Sequence, residues 1–139
     1  MKKLNTISSC LLLLPLLFVV GCFNIIQDRV AADEASAVGS LRTLNTANQV
    51  YAEEHKTNFG SELGDFSGLI DRNLLSGQKS GYRFRYTPGK ANKKGIVDTY
   101  EIVAEPIDRD KTGDRYFFTD QTGMIRYGIG SVNAQSALL

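Results

Sequence analysis

Between Asn24 and Lys56 the chain contains no proline and a single glycine, Gly39, and it is rich in Ala, Leu and Glu. Such a stretch predicts one long helix. Ile26, Val30, Ala37, Leu41, Leu44 and Tyr51 recur at steps of three, four or seven and form one apolar stripe. Arg42, Thr43, Glu53 and Lys56 fall away from it. Ala31, Ala32, Ala35 and Ala47 keep the helix narrow enough for close approach by another element. Asn58 and Gly60 supply the stop. Globular helices usually run about 8–20 residues. The first turns of this longer one are therefore expected to project as a stalk, while the second half buries its stripe on a sheet.

The remainder predicts that sheet. Within residues 57–80, Ser67 to Leu75 reads as a short helix, begun by Asp65 or Ser67 and stopped by Gly77. From Gly81, Tyr82, Phe84 and Tyr86 alternate with Arg83 and Arg85, the pattern of a half-buried strand. Further strands are expected over Asp98–Ala104, Arg115–Thr119 and Met124–Tyr127. Asp120-Gln121-Thr122-Gly123 joins the last two, with glycine where a positive φ is wanted. Lys90, Lys93 and Lys94 read as a solvated hairpin loop, with a partner-binding patch as the competing reading. Residues 131–139 carry no strong pattern and are expected as a flexible tail. The fold class is α+β: a long N-terminal amphipathic helix on a small antiparallel sheet of about four strands, spanning 81–130, with a short helix in the connecting segment.

The N-terminus reads differently. Lys2 and Lys3 precede an apolar run from Leu11 to Val20 that Pro15 interrupts. A membrane span needs roughly 20 apolar residues, whereas a secretory signal uses about 7–15 after a basic start. The tetrad Val19-Val20-Gly21-Cys22 resembles a bacterial lipobox. That resemblance implies removal of residues 1–21, a diacylglyceryl group on the Cys22 thiol, and acylation of the new amino group. Two or more acyl chains give stable anchoring, where one gives only reversible binding. The expected localisation is the cell envelope, with the domain of residues 22–139 held on a lipid bilayer and facing the periplasm or the outside.

Composition narrows the rest. Removing Lys2 and Lys3 from 16 basic residues leaves 14 against 15 acidic ones, which gives no reason to expect nucleic-acid binding. Cys10 and Cys22 are the two cysteines and both lie in or at the signal, so the mature domain has no disulfide partner and holds together by packing. No P-loop, Gly-x-Ser-x-Gly elbow, Cys–His pair or His-based metal motif occurs, and no catalytic residue is assigned. His55, the single histidine, reads as a partly buried residue near the negative end of the helix.

The run from Asn24 to Ala47, including Glu34-Ala35-Ser36-Ala37-Val38-Gly39-Ser40-Leu41-Arg42-Thr43-Leu44-Asn45-Thr46-Ala47, is similar to the helix region that follows the membrane half of bacterial type IV pilins and type II secretion pseudopilins. Gly81 to Gly89 and Arg115 to Arg126 resemble the same group. The resemblance implies a helical spine against an antiparallel sheet, with pilus or secretion proteins as partners. It also implies a calcium-binding loop in the sheet region. Asp108, Asp110, Thr112 and Asp114 are the candidate Ca²⁺ ligands; Asp108, Asp110 and Gly113 match the first, third and sixth positions of an EF-hand loop. Thr119 stands where that loop has its bidentate Glu, and Arg109 and Lys111 offset the charge, so the competing reading is a polar turn. No other cofactor is expected. Unlike in pilins, the apolar segment lies before the expected cut and would be lost. The expected function is a non-catalytic, lipid-anchored, pilin-like protein acting through protein contacts, accessory to a pilus or secretion system. The alternative is a lipoprotein that binds a small ligand or Ca²⁺.

Overall fold

The proline-free stretch lies, up to Glu54, within a single helix, α1 (Leu14–Glu54), which also takes in part of the apolar run before it. The computed structural model describes residues 14–56 and 58–139, with side chains from Ile25 onward. Residues 1–13, most of the expected signal peptide, lie outside the described residues. Residues 25–29 are exposed on every side, and Val30 is the first buried position.

Behind the helix lies a six-stranded antiparallel sheet in sequence order: β1 (Gln78–Lys79), β2 (Tyr82–Pro88), β3 (Tyr100–Pro106), β4 (Arg115–Asp120), β5 (Ile125–Ile129) and β6 (Ala137–Leu138). The expectation of about four strands is corrected by the two short edge strands, β1 and β6. At two residues each, they are too short to carry an alternation that sequence patterning can register. The four long strands lie close to their expected positions. The alternation in β2 fixes which face is buried, since a slip of one residue would turn Tyr82 and Phe84 outward. In register, Phe84 faces Ala104 and Tyr86 faces Ile102 on β3, while Ala104 also faces Phe117 on β4.

Ala37, Val38, Leu41, Leu44 and Ala47 of α1 meet Tyr82, Phe84, Tyr100, Ile102, Ala104, Phe117 and Ile125 from the sheet in one core. Burying a side chain such as Leu41 or Leu44 contributes about 1.5–3 kcal/mol. At the C-terminal end of α1, aromatic rings close the core. Phe66 meets Tyr86 edge-on at 5.5 Å, and Phe59 meets Tyr100 edge-on at 4.9 Å. The predicted stripe is buried from Val30 to Leu44 and half-buried at Tyr51, but Ile26 is 50 % exposed because no strand reaches its level. Ala31, Ala32 and Ala35 are exposed too; the close approach is made at Ala37 and Ala47.

Three further expectations change. The connecting segment holds a 3-10 turn (Leu63–Phe66) and a one-turn helix, α2 (Arg72–Leu75), instead of one helix over Ser67–Leu75. Gly68 at φ +89° interrupts the run, and Asp71 caps α2 by accepting from the N–H groups of Asn73 and Leu74, each at 3.0 Å. His55 is exposed, stacked on Tyr51 at 3.8 Å with Nδ1 2.8 Å from the Tyr51 carbonyl, because the helix end runs past the sheet. The tail is tied down. After Gly130 it folds back over the sheet face opposite α1, where Gly128 leaves room for the Ser131 carbonyl that a Cβ would displace. Arg126 donates to the Ser136 carbonyl at 2.8 Å, and the Leu139 N–H donates to Ile125 at 3.0 Å. Phe118 occupies this outer face and is still only 3 % exposed.

Gly128→Ala should therefore loosen the tail while sparing the core. Hydrogen exchange checks this: the Leu139 amide should lose protection and the Ile102 amide should keep it.

Candidate functional site

Cys22 lies within α1, three residues before the exposed segment 25–29 that precedes the sheet. Its side chain is outside the described ones, and so is everything upstream. Among the described residues, no helix is long and apolar enough to cross a membrane.

The second sequence-predicted site, the loop between β3 and β4, folds on its own backbone. Asp108 accepts at its carbonyl from the Thr112 N–H at 2.9 Å and the Thr112 hydroxyl at 3.0 Å, and its carboxylate pairs with Lys111 at 2.8 Å. Asp110 stands exposed at the turn with φ +67°. Asp114 points elsewhere: one carboxylate oxygen is buried without a hydrogen-bond partner beside the helix, and its N–H donates to Glu34. Asp108 and Asp114 are thus engaged in separate contacts. Among the described residues, no group of three or more His, Cys, Asp or Glu side chains is placed to hold a metal ion.

What this end of the domain does build is an ion pair between a buried Glu34 and a half-exposed Arg115, which the sequence pattern does not single out. Glu34 is 5 % exposed. One carboxylate oxygen accepts from the N–H groups of Asp114 and Arg115 at 3.0 and 3.1 Å, and the other binds the Arg115 guanidinium at 2.7 Å. Burial alone would raise the Glu34 pKa. The Arg115 side chain and the two backbone donors outweigh that and hold it below its ordinary value of 4.5. Arg115 also lies over the rings of Phe117 and Tyr127, 5.4 and 5.7 Å from their centres. Beside it the Tyr82 hydroxyl donates to the Arg115 carbonyl at 2.8 Å, under Gly113, where any side chain would collide with the ring.

Further along α1, Asn45 and Asn48 repeat the device. Asn45 donates to the Thr119 hydroxyl at 2.8 Å and accepts from Tyr100 at 3.1 Å. The Tyr86 hydroxyl lies 3.0 Å from Asn48 Oδ1 and 2.7 Å from the Gly60 carbonyl. Burial pushes the Tyr100 hydroxyl up to about 12. These hydrogen bonds tie α1 to the sheet. A helical asparagine facing the sheet at stripe spacing was the available signal, and its polarity hid it from an apolar count.

On the outer face, the ends of β2, β3 and β4 and the tail frame an open groove of about 540 Å³, whose lining includes Thr87, Lys90, Glu101, Asp120, Gln121 and Ala134. Glu101 and Asp120 stand directly opposite each other across the strands. Lys90, Lys93 and Lys94 are exposed at the end of the domain remote from Cys22, in a loop organised by Asn92, whose side chain accepts from the N–H groups of Lys94 and Ile96. Compared with protein-family profiles, curated proteins and solved structures, the chain matches none.

Two outcomes are expected here. Glu34→Gln should cost about 2 kcal/mol of stability at neutral pH, because Arg115 keeps partial solvent access while the buried hydrogen bonds are weakened. A carboxylate whose folded pKa is lowered stabilises fully above its unfolded value, and that contribution is lost as pH falls through the folded one. Wild-type stability should therefore fall below about pH 4.5, and Glu34→Gln should flatten that fall in denaturant melts across pH. For the β3–β4 loop, a Ca²⁺ site would raise the melting temperature with millimolar Ca²⁺, and an unchanged melting temperature would leave the polar turn. A rise that Asp108→Ala abolishes would show binding.

Proposed function

We propose that this chain is a lipid-anchored, pilin-like envelope protein that works through protein contacts, with Cys22 as its acylated first residue. The observation that carries the reading is the lipobox-like Val19-Val20-Gly21-Cys22 at the point where the apolar run ends and an exposed polar helix begins. Further support comes from α1, whose backbone continues without a break from that tetrad into the buried stripe. An anchor at Cys22 is thereby coupled to the domain through a rigid helix. The pilin-like assignment draws on the second half of a long helix packed on an antiparallel meander, together with the sequence likeness of residues 34–47. Accessory contact with a pilus or secretion apparatus is the partner class that this likeness suggests.

A second reading, a lipoprotein binding a small ligand, is favoured by the groove beside Lys90, Glu101 and Asp120. Ligand pockets are mostly apolar and enclose their ligand. This groove is open and lined about as much by polar as by apolar surface, so it does not enclose a ligand and protein contact remains the leading reading.

Metabolic labelling with a palmitate analogue should mark the wild type and not Cys22→Ala, and equal labelling of both would sink the lipoprotein reading. Affinity capture of the anchored protein should then recover pilus or secretion components. Recovery of none, together with a small molecule retained through purification, would favour the groove.

A further inference from the structure

Resting on the acylation of Cys22 proposed above, we infer that Ile25, Ile26 and Arg29 form a second contact with the lipid surface, seating the first turns of the mature helix in the headgroup layer. Ile25 and Ile26 are 69 % and 50 % exposed, and no element of the domain reaches them. They follow Cys22 by three and four residues, and Arg29 follows it by seven. At 100° per residue all three lie within about 60° of Cys22 around the helix, while Gln27 and Asp28 lie on the far side. The face below the anchor is thus aliphatic for one turn and then cationic.

The lengths agree with that placement. At 1.5 Å per residue, Ile25 and Ile26 stand about 5–6 Å along the helix from Cys22, and Arg29 about 10 Å. Interfacial helices bury their apolar side roughly 5–10 Å into the boundary between headgroups and acyl chains. With acyl chains fixing Cys22 at that boundary, a helix lying along it turns the two isoleucines, on the Cys22 face, toward the acyl chains and keeps Arg29 within reach of the phosphates. The guanidinium is free to turn there: its side chain is 76 % exposed, and its ion pair with Asp33 is long, at 4.0 Å. The occupant is a phospholipid surface, because the patch begins within one turn of the residue that carries the lipid. Val30, the first buried residue, then lies only about 12 Å from Cys22, so the domain rides close to the bilayer.

The chain contains no tryptophan, which gives a clean probe. Full-length Ile26→Trp, purified from cells that process lipoproteins, would be reconstituted into phosphatidylethanolamine–phosphatidylglycerol vesicles with and without brominated acyl chains. Thr43→Trp, on an exposed face of the same helix, is the control. The expected result is a blue-shifted emission for Ile26→Trp, quenched at least twofold by the brominated lipid, with Thr43→Trp unquenched. If the protein carries the palmitate label and both tryptophans emit alike and unquenched, the contact is overturned and the anchor stands. If no label is present, the anchor itself fails and the contact fails with it.

Discussion

The register between α1 and the sheet is the constraint on which the rest of this structure depends, and polar bonds set it more than the apolar stripe does. Hydrophobic contact is non-directional, so Ala37, Leu41 and Leu44 would tolerate some sliding or rotation of the helix. Glu34 would not. Its carboxylate is buried and satisfied by two backbone N–H groups and one guanidinium at the start of β4, and any shift would leave charge unpaired in the interior. Asn45 and Asn48 make the equivalent demand further along, against Thr119, Tyr100 and Tyr86. The three residues pin the helix at points along its buried length.

That pinning gives the N-terminal turns their meaning. Once Glu34 fixes the helix against β4, the direction in which α1 leaves the domain is settled, and so is the placement of residues 25–29. An anchor on a flexible linker would let the domain tumble. The proposed anchor at Cys22, a few turns before the Glu34–Arg115 pair, would set the distance of the domain from the membrane and confine its tilt. The solvated lysines of the β2–β3 loop then stand at the far end, and the β3–β4 loop with Asp108 and Asp114 stands at the near one.

Much of this was legible in the sequence where periodicity was strong. The absence of proline between Asn24 and Lys56 gave the helix, and the Tyr82-Arg83-Phe84-Arg85-Tyr86 alternation gave both a strand and its buried face. The Gly123 turn, at φ +74°, followed from its position in the loop. The edge strands were not legible, because two residues carry no period and their pairing is set by tertiary context alone. Nor was the tail: Ala137 and Leu138 reach β5 only because Gly128 lets the chain fold back across the sheet. Glu34 was hidden because a glutamate in a helix is ordinarily a solvated residue, and its partner Arg115 lies 81 positions away. Of the candidate sites, Cys22 rests on a local motif, which sequence can display. A calcium site in the β3–β4 loop needs side chains to converge, and spacing does not guarantee that.

The account's central claim is that the mature chain begins at Cys22 and carries its membrane anchor there. Intact-mass and N-terminal peptide mass spectrometry of protein extracted from membranes tests it most directly. The prediction is a chain of residues 22–139 whose first residue bears a diacylglyceryl thioether and an acylated amino group. A mature chain that retains residues upstream of Cys22, or one that begins with an unmodified Cys22, would contradict it.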